Sequence, residues 1–127
     1  MSALITVLAV SLGAGFGAQG RYALDLAFAR KSSKHLPVAT LIANTIGSAL
    51  IGVMVAVLNS GWEATWWTEA ITAGFAGGLT TFSTLTAQVI ETAKRSKIQA
   101  ALLAVIHVVL GFAAAISTWW VTLKFLG

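Results

Sequence analysis

Four long apolar runs, at 3–29, 38–58, 69–92 and 98–126, constrain this chain more than any other feature of its sequence. A helix crosses the hydrocarbon core with roughly 20 mainly apolar residues at ~1.5 Å each, and every run reaches that length. Lipid offers no hydrogen bonds to an open backbone, so segments of this kind span as helices. The expectation is an all-α integral membrane protein, one domain over 1–127 with four transmembrane helices. The proportions agree, because 57% of residues are apolar and 9% charged, against about 25% charged in a soluble domain. Disordered chains are poor in apolar residues and are excluded on the same ground. The absence of cysteine removes disulfides, thiolate metal sites and a cysteine nucleophile. A net charge of +4 would suit nucleic acid if it formed one patch. Here the basic residues stand in two short clusters between apolar runs, so no nucleic-acid partner is expected. The first run has no positive segment ahead of it and reads as a retained span rather than a cleaved signal. Pro37, the only proline, suits the first turn of the second helix, where its missing N–H costs nothing.

Charge orients the spans. Four crossings put connectors 30–37 and 94–97 on one side, and connector 59–68 with both termini on the other. The first side holds Arg30, Lys31, Lys34, Lys94, Arg95 and Lys97, while the second holds Lys124 beside Glu63 and Glu69. Loops 30–37 and 94–97 are therefore expected to be cytoplasmic, in a cell inner (plasma) membrane. The basic clusters would meet membrane lipid headgroups, and Trp62, Trp66 and Trp67 read as an interfacial belt beside the second connector.

Lipid tails are as apolar as leucine, so membrane helices associate through small residues and hydrogen bonds. The first run offers Ala9, Gly13 and Gly17. The second offers Thr40, Asn44, Ser48, Gly52 and Ala56, and the fourth His107, Gly111 and Ala115. A bundle closed by such rows leaves no lumen within one chain. Transporters that need two halves often carry an internal repeat, and none is visible here. A transported solute would thus require a second chain. His107 reads as a packing or hydrogen-bonding residue rather than a proton relay.

Polar groups within spans are costly and point to function. Arg21 and Asp25 are four apart, which permits an ion pair on one helix face; alternatively, Arg21 concentrates anions at the mouth of an aqueous cavity. Asn44 is either interhelical glue or, through its NH₂, a donor to an anion. The third run reads Gly74-Phe75-Ala76-Gly77-Gly78-Leu79-Thr80-Thr81-Phe82-Ser83-Thr84-Leu85-Thr86. Paired glycines followed by threonines are poor helix interior. They predict a third helix interrupted in mid-membrane, with Thr80 or Thr81 capping its second half. Freed carbonyls at such a break can hold a cation, while a half-helix N-terminus favours an anion. Phe82 offers an electropositive ring edge, and Ser83 and Thr84 two hydroxyls.

On these motifs the chain resembles the Fluc (CrcB) family of fluoride channels. The likeness is carried by Gly20-Arg21-Tyr22, by Thr40-Leu41-Ile42-Ala43-Asn44 and by the long glycine–threonine motif through Thr84, in that order along the chain. The resemblance implies four-helix subunits in an inverted, antiparallel dimer with two fluoride pathways. It implies passive export of fluoride and fluoride resistance, without covalent chemistry, so the protein is not expected to be an enzyme. A structural sodium ion at the dimer centre would be held by the backbone carbonyls of Gly77 and Thr80. Asn44 would donate to fluoride, Phe82, Ser83 and Thr84 would line the pathway, and Arg21 would shape its aqueous entrance.

Two departures from the family pattern stand out. The motif usually ends Ser-Thr-Phe, and here the last place is Leu85, which has no ring quadrupole. The loop charges are also strongly biased to one side, whereas a homodimer inserted both ways needs weak bias. Together they suggest a heterodimer subunit whose paralogue has reversed loop charge and supplies the missing ring. Two rival functions remain in view. A small multidrug-type, proton-coupled cation exporter has similar size but needs a membrane-embedded carboxylate, for which Asp25, Glu69 and Glu91 are poorly placed near span ends. A membrane assembly subunit would show packing rows but no interrupted helix. Expression of this chain alone with both termini mapped tests the heterodimer expectation. A single orientation with little fluoride flux is expected, and a mixed population with full flux contradicts it.

Overall fold

The computed structural model describes residues 3–29 and 37–127. The basic residues Arg30, Lys31 and Lys34 of the first connector lie outside the described residues. The interiors of the apolar runs are helical except at Thr80 and Thr81: α1 (Ala3–Phe28), α2 (Val38–Asn59), α3 (66–79), α4 (Phe82–Ala93) and α5 (Lys97–Leu126). Three of these, α1, α2 and α5, are each long and apolar enough to cross a membrane. The third run is divided between α3 and α4, as its glycine–threonine motif predicts.

The helix ends follow local chemistry. Pro37 stands just before α2 rather than within its first turn, with its carbonyl accepting from Leu41 N at 3.1 Å. That position uses the same virtue, since no N–H is lost. At the other end of α2, the Ser60 hydroxyl donates to Ala56 O at 2.9 Å. Gly61 then turns the chain with φ of +92°, a conformation that a side chain would strain. The third run begins at Trp66, earlier than the apolar pattern suggests, because the Thr68 hydroxyl accepts from Thr65 N and donates to Thr65 O. Ser96 caps α5 by accepting from Gln99 N at 3.3 Å.

Two seams hold the helices together, α1 on α3 and α2 on α5. In the first, Gly13 and Gly17 of α1 face Gly74 and Gly78 of α3. A methyl at Gly17 would overlap the Phe75 carbonyl oxygen, and one at Gly78 the Ala14 carbonyl oxygen. Residues 70–76 of α3 form a wide π-helical turn that presents the Ala70 and Phe75 carbonyls to these glycines. In the second seam, Gly52 receives the Ala115 carbonyl and the Thr118 hydroxyl, which donates to Ala49 O at 2.8 Å. His107 is 6% exposed; its Nδ1 lies 2.9 Å from Leu103 O, while its Nε2 is buried with no hydrogen-bond partner among the described residues. Each of the three small-residue rows thus contributes to an interhelical seam.

The contacts also give direction. Ala14 meets Gly78 where Val10 meets Gly74, so α1 and α3 run the same way. Along α2, Gly47 meets Thr80, Asn44 meets Thr81 and Thr40 meets Gln88. The third run therefore passes α2 antiparallel from Thr80 to Gln88, across the break.

At the second connector, Trp62 and Trp67 meet edge to face at 6.3 Å. Lys124 lies 3.6 Å from the centre of the Trp120 ring, the arrangement of a cation held over an aromatic face.

The glycine seam makes a specific prediction. Gly17→Ala and Gly78→Ala force backbone against backbone and should each lower unfolding stability in detergent by about 1–3 kcal/mol. Gly15→Ala, which has nothing within 4 Å of the added methyl, should leave stability unchanged or raise it by up to about 1 kcal/mol.

Candidate functional site

The site is built on two residues that leave the helix. Thr80 (φ −78°, ψ 157°) and Thr81 (φ −151°, ψ 117°) are extended between α3 and α4. A helix end leaves up to four backbone groups without intrahelical partners. Here the carbonyl end of α3 and the N–H end of α4 meet back to back, so one short segment offers both signs of partial charge.

Asn44 of α2 holds the break. Its Oδ1 accepts from Thr81 N at 2.8 Å and its Nδ2 donates to Thr81 O at 3.3 Å, so the side-chain amide pairs with this residue as a neighbouring strand would. One turn along α2, Gly47 leaves the space that the Thr80 methyl fills. Asn44 therefore joins the two helical segments, and the second hydrogen of its NH₂ remains available.

Thr81 caps α4. Its hydroxyl accepts from Thr84 N at 3.2 Å and donates to Thr84 Oγ1 at 3.0 Å, with Ser83 Oγ at 3.3 Å. A hydroxyl has one hydrogen, so with Thr81 donating to Thr84 the contact with Ser83 is made by the Ser83 hydrogen, and Thr84 does not spend its own hydrogen on Thr81. Ser83 and Thr84 are exposed on the single chain, and Phe82 is 82% exposed.

Arg21 reaches the break from α1. Its Nη1 donates to Thr80 O at 3.4 Å, within reach because the glycine seam draws α1 onto Leu79 one turn earlier. The ion pair with Asp25 that the spacing permits does not form within 4 Å, and the ion pairs among the described residues join Glu91 to Lys94 and Arg95. The reason is local: the break frees a carbonyl at the depth of Arg21, and the guanidinium turns to it.

The structure thus brings Arg21, Asn44, Thr80, Ser83 and Thr84 to one break, with Phe82 on its outer side. Gly77 lies in the last turn of α3, where Thr81 N, the donor its carbonyl would meet in a continuous helix, is taken by Asn44. Sequence reasoning missed Gly47 and also Gln88, whose Nε2 donates to Thr40 Oγ1 at 3.0 Å. A polar residue one turn before Asn44 was the available signal for a partner on α4.

Removal of the Asn44 amide strands a peptide N–H and a C=O in the interior. Asn44→Ala should therefore lower unfolding stability by roughly 2–4 kcal/mol. Thr45→Ala, which removes only a hydroxyl bonded to Leu41 O within its own helix, should cost less than about 1 kcal/mol. Chemical unfolding of the purified protein measures both.

Comparison with known proteins places this geometry. A relative from Chromobacterium violaceum, named fluoride-specific ion channel FluC, is 37% identical over 119 residues, covering 90% of this chain and 94% of its own. Another from Yersinia pseudotuberculosis, named fluoride-specific ion channel FluC 1, is 39% identical over 94 residues, 73% of each chain. A third from Dechloromonas aromatica, also named FluC, is 45% identical over 89 residues, covering 68% of this chain and 64% of its own. The family described as CrcB-like protein, Camphor Resistance (CrcB), matches residues 8–119, and the chain belongs to the CrcB family.

Proposed function

We propose that this chain is a subunit of a fluoride-selective channel that passively exports fluoride across the cell membrane and confers fluoride resistance. The relatives named as fluoride-specific ion channels support the substrate. The observation that carries the mechanism is the pair of exposed hydroxyls of Ser83 and Thr84 at the positive end of α4, next to Phe82. Hydroxyl donors, a helix N-terminus and a ring edge attract a small anion without the tight hold of a full positive charge. Asn44 contributes its second amide hydrogen, and Arg21 raises the local anion concentration at the aqueous entrance. The chemistry is conduction, not a reaction.

The assembly proposed is an antiparallel dimer of four-span subunits. Exposed Ser83 and Thr84 would put their hydroxyls into lipid if the chain stood alone, and polar groups at that depth are costly. The antiparallel passage of the third run along α2 across its break supports its counting as one span, which makes four. The heterodimer, with a paralogue supplying the ring that Leu85 lacks, and cytoplasmic loops 30–37 and 94–97 belong to the same proposal.

A sodium ion fits the donor set at the break. The Gly77 and Thr80 carbonyls are hard, neutral oxygens suited to a monovalent cation, and no cluster of three or more His, Asp or Glu occurs among the described residues. One chain supplies too few oxygens for a full shell, so two copies would share the ion. Bound there, sodium would offset the partial negative charge of these carbonyls and tie the subunits together.

Fluoride efflux from liposomes tests the function, with rapid fluoride release and no chloride release expected. Phe82→Ile should slow fluoride release at least about tenfold, the equivalent of 1.4 kcal/mol in barrier. Equal chloride and fluoride release, or none of either, contradicts the proposal.

A further inference from the structure

The hydrogen bond from Arg21 to Thr80 has a consequence for the cation proposed at that carbonyl. Five features bear on it. The donor–acceptor distance is 3.4 Å, longer than the roughly 2.7–3.2 Å of ordinary N–H···O bonds. One guanidinium nitrogen takes part, so the bond lacks the two-pronged geometry that makes arginine pairs strong. Asp25, one turn on, does not pair with Arg21, so no carboxylate neutralises the guanidinium there. The acceptor lies beyond the C-terminal end of α3, where partial negative charge attracts any cation. Arg21 is only partly buried, so its side chain is not enclosed by the protein.

From these we infer that Arg21 is a displaceable internal cation that occupies the Thr80 carbonyl and competes with sodium for it. The inference rests on the sodium reading given above. A carbonyl oxygen has two lone pairs, but two positive charges on one oxygen stand only a few ångströms apart, and the membrane interior screens them poorly. Sodium binding must therefore push the guanidinium outward, towards the entrance where it serves anions. Without sodium, Arg21 keeps the Thr80 carbonyl satisfied and the break intact. Sodium occupancy and the position of the entrance charge are in this way coupled through one atom.

The test is the sodium dependence of thermal stability in the purified full-length assembly, titrated with sodium chloride at constant ionic strength against N-methylglucamine chloride. Arg21→Gln should lower the sodium midpoint at least about tenfold and reduce stability in sodium-free buffer. Arg21→Lys keeps the charge and should retain a midpoint within about threefold of the unsubstituted protein. Equal midpoints for Arg21→Gln and the unsubstituted protein overturn the competition while leaving the sodium reading intact. A stability that ignores sodium in all three proteins removes the sodium reading, and the competition falls with it. If Arg21→Gln does not assemble, Arg21→Ala repeats that arm, and the unsubstituted protein gives a separate readout. Its Arg21 side-chain N–H signals should shift on sodium addition, and unchanged signals alongside a sodium-dependent stability overturn the competition.

Discussion

The pairing of the Asn44 side chain with Thr81 is the constraint on which the rest of the site depends. Extended backbone in a membrane segment has polar groups that water cannot reach, so it persists only where the protein supplies partners. Asn44 supplies both partners from one side chain, at 2.8 and 3.3 Å. With Thr81 fixed, its hydroxyl is aimed at Thr84 and starts α4. Thr80 is fixed by the same event, and its carbonyl becomes available to Arg21. The anion-favouring and cation-favouring features of the site are two ends of one interruption.

Small residues place that interruption in space. The α1–α3 seam brings backbones close enough for Arg21 to reach Thr80, and Gly47 admits the Thr80 methyl against α2. Larger residues at these positions would separate the helices and leave Asn44 out of range. The glycines are thus as much a part of the site as the polar side chains, although they touch no ion. In lipid, where burial of apolar surface gives little drive between helices, such close contact is the main source of cohesion.

Much of this was legible in the sequence. The runs gave the helices, and Gly77-Gly78-Leu79-Thr80-Thr81 marked the break and its threonine cap, because neither glycine pairs nor adjacent threonines favour helix interior. The small-residue rows named the seam residues Gly13, Gly17, Gly52 and Ala115. Other features depend on three-dimensional placement. The spacing of Arg21 and Asp25 allowed an ion pair, but a carbonyl freed by another helix took the guanidinium. The π-helical turn at 70–76 needs no special residue and follows from close approach to α1. The Gln88–Thr40 bond depends on the rotation of α4 after the break, which no local pattern encodes. The early start at Trp66 came from a threonine pair in a connector, where apolar periodicity is silent.

The central claim is that the third run is broken at Thr80 and Thr81 while it lies in the membrane. Carbon chemical shifts of the threonines, measured by solid-state NMR on the full-length protein in lipid bilayers, report that conformation directly. Extended-type shifts at Thr80 and Thr81, between helical shifts at Leu79 and Phe82, are the result this account requires. Helical shifts running unbroken from Gly77 to Thr86 would contradict it.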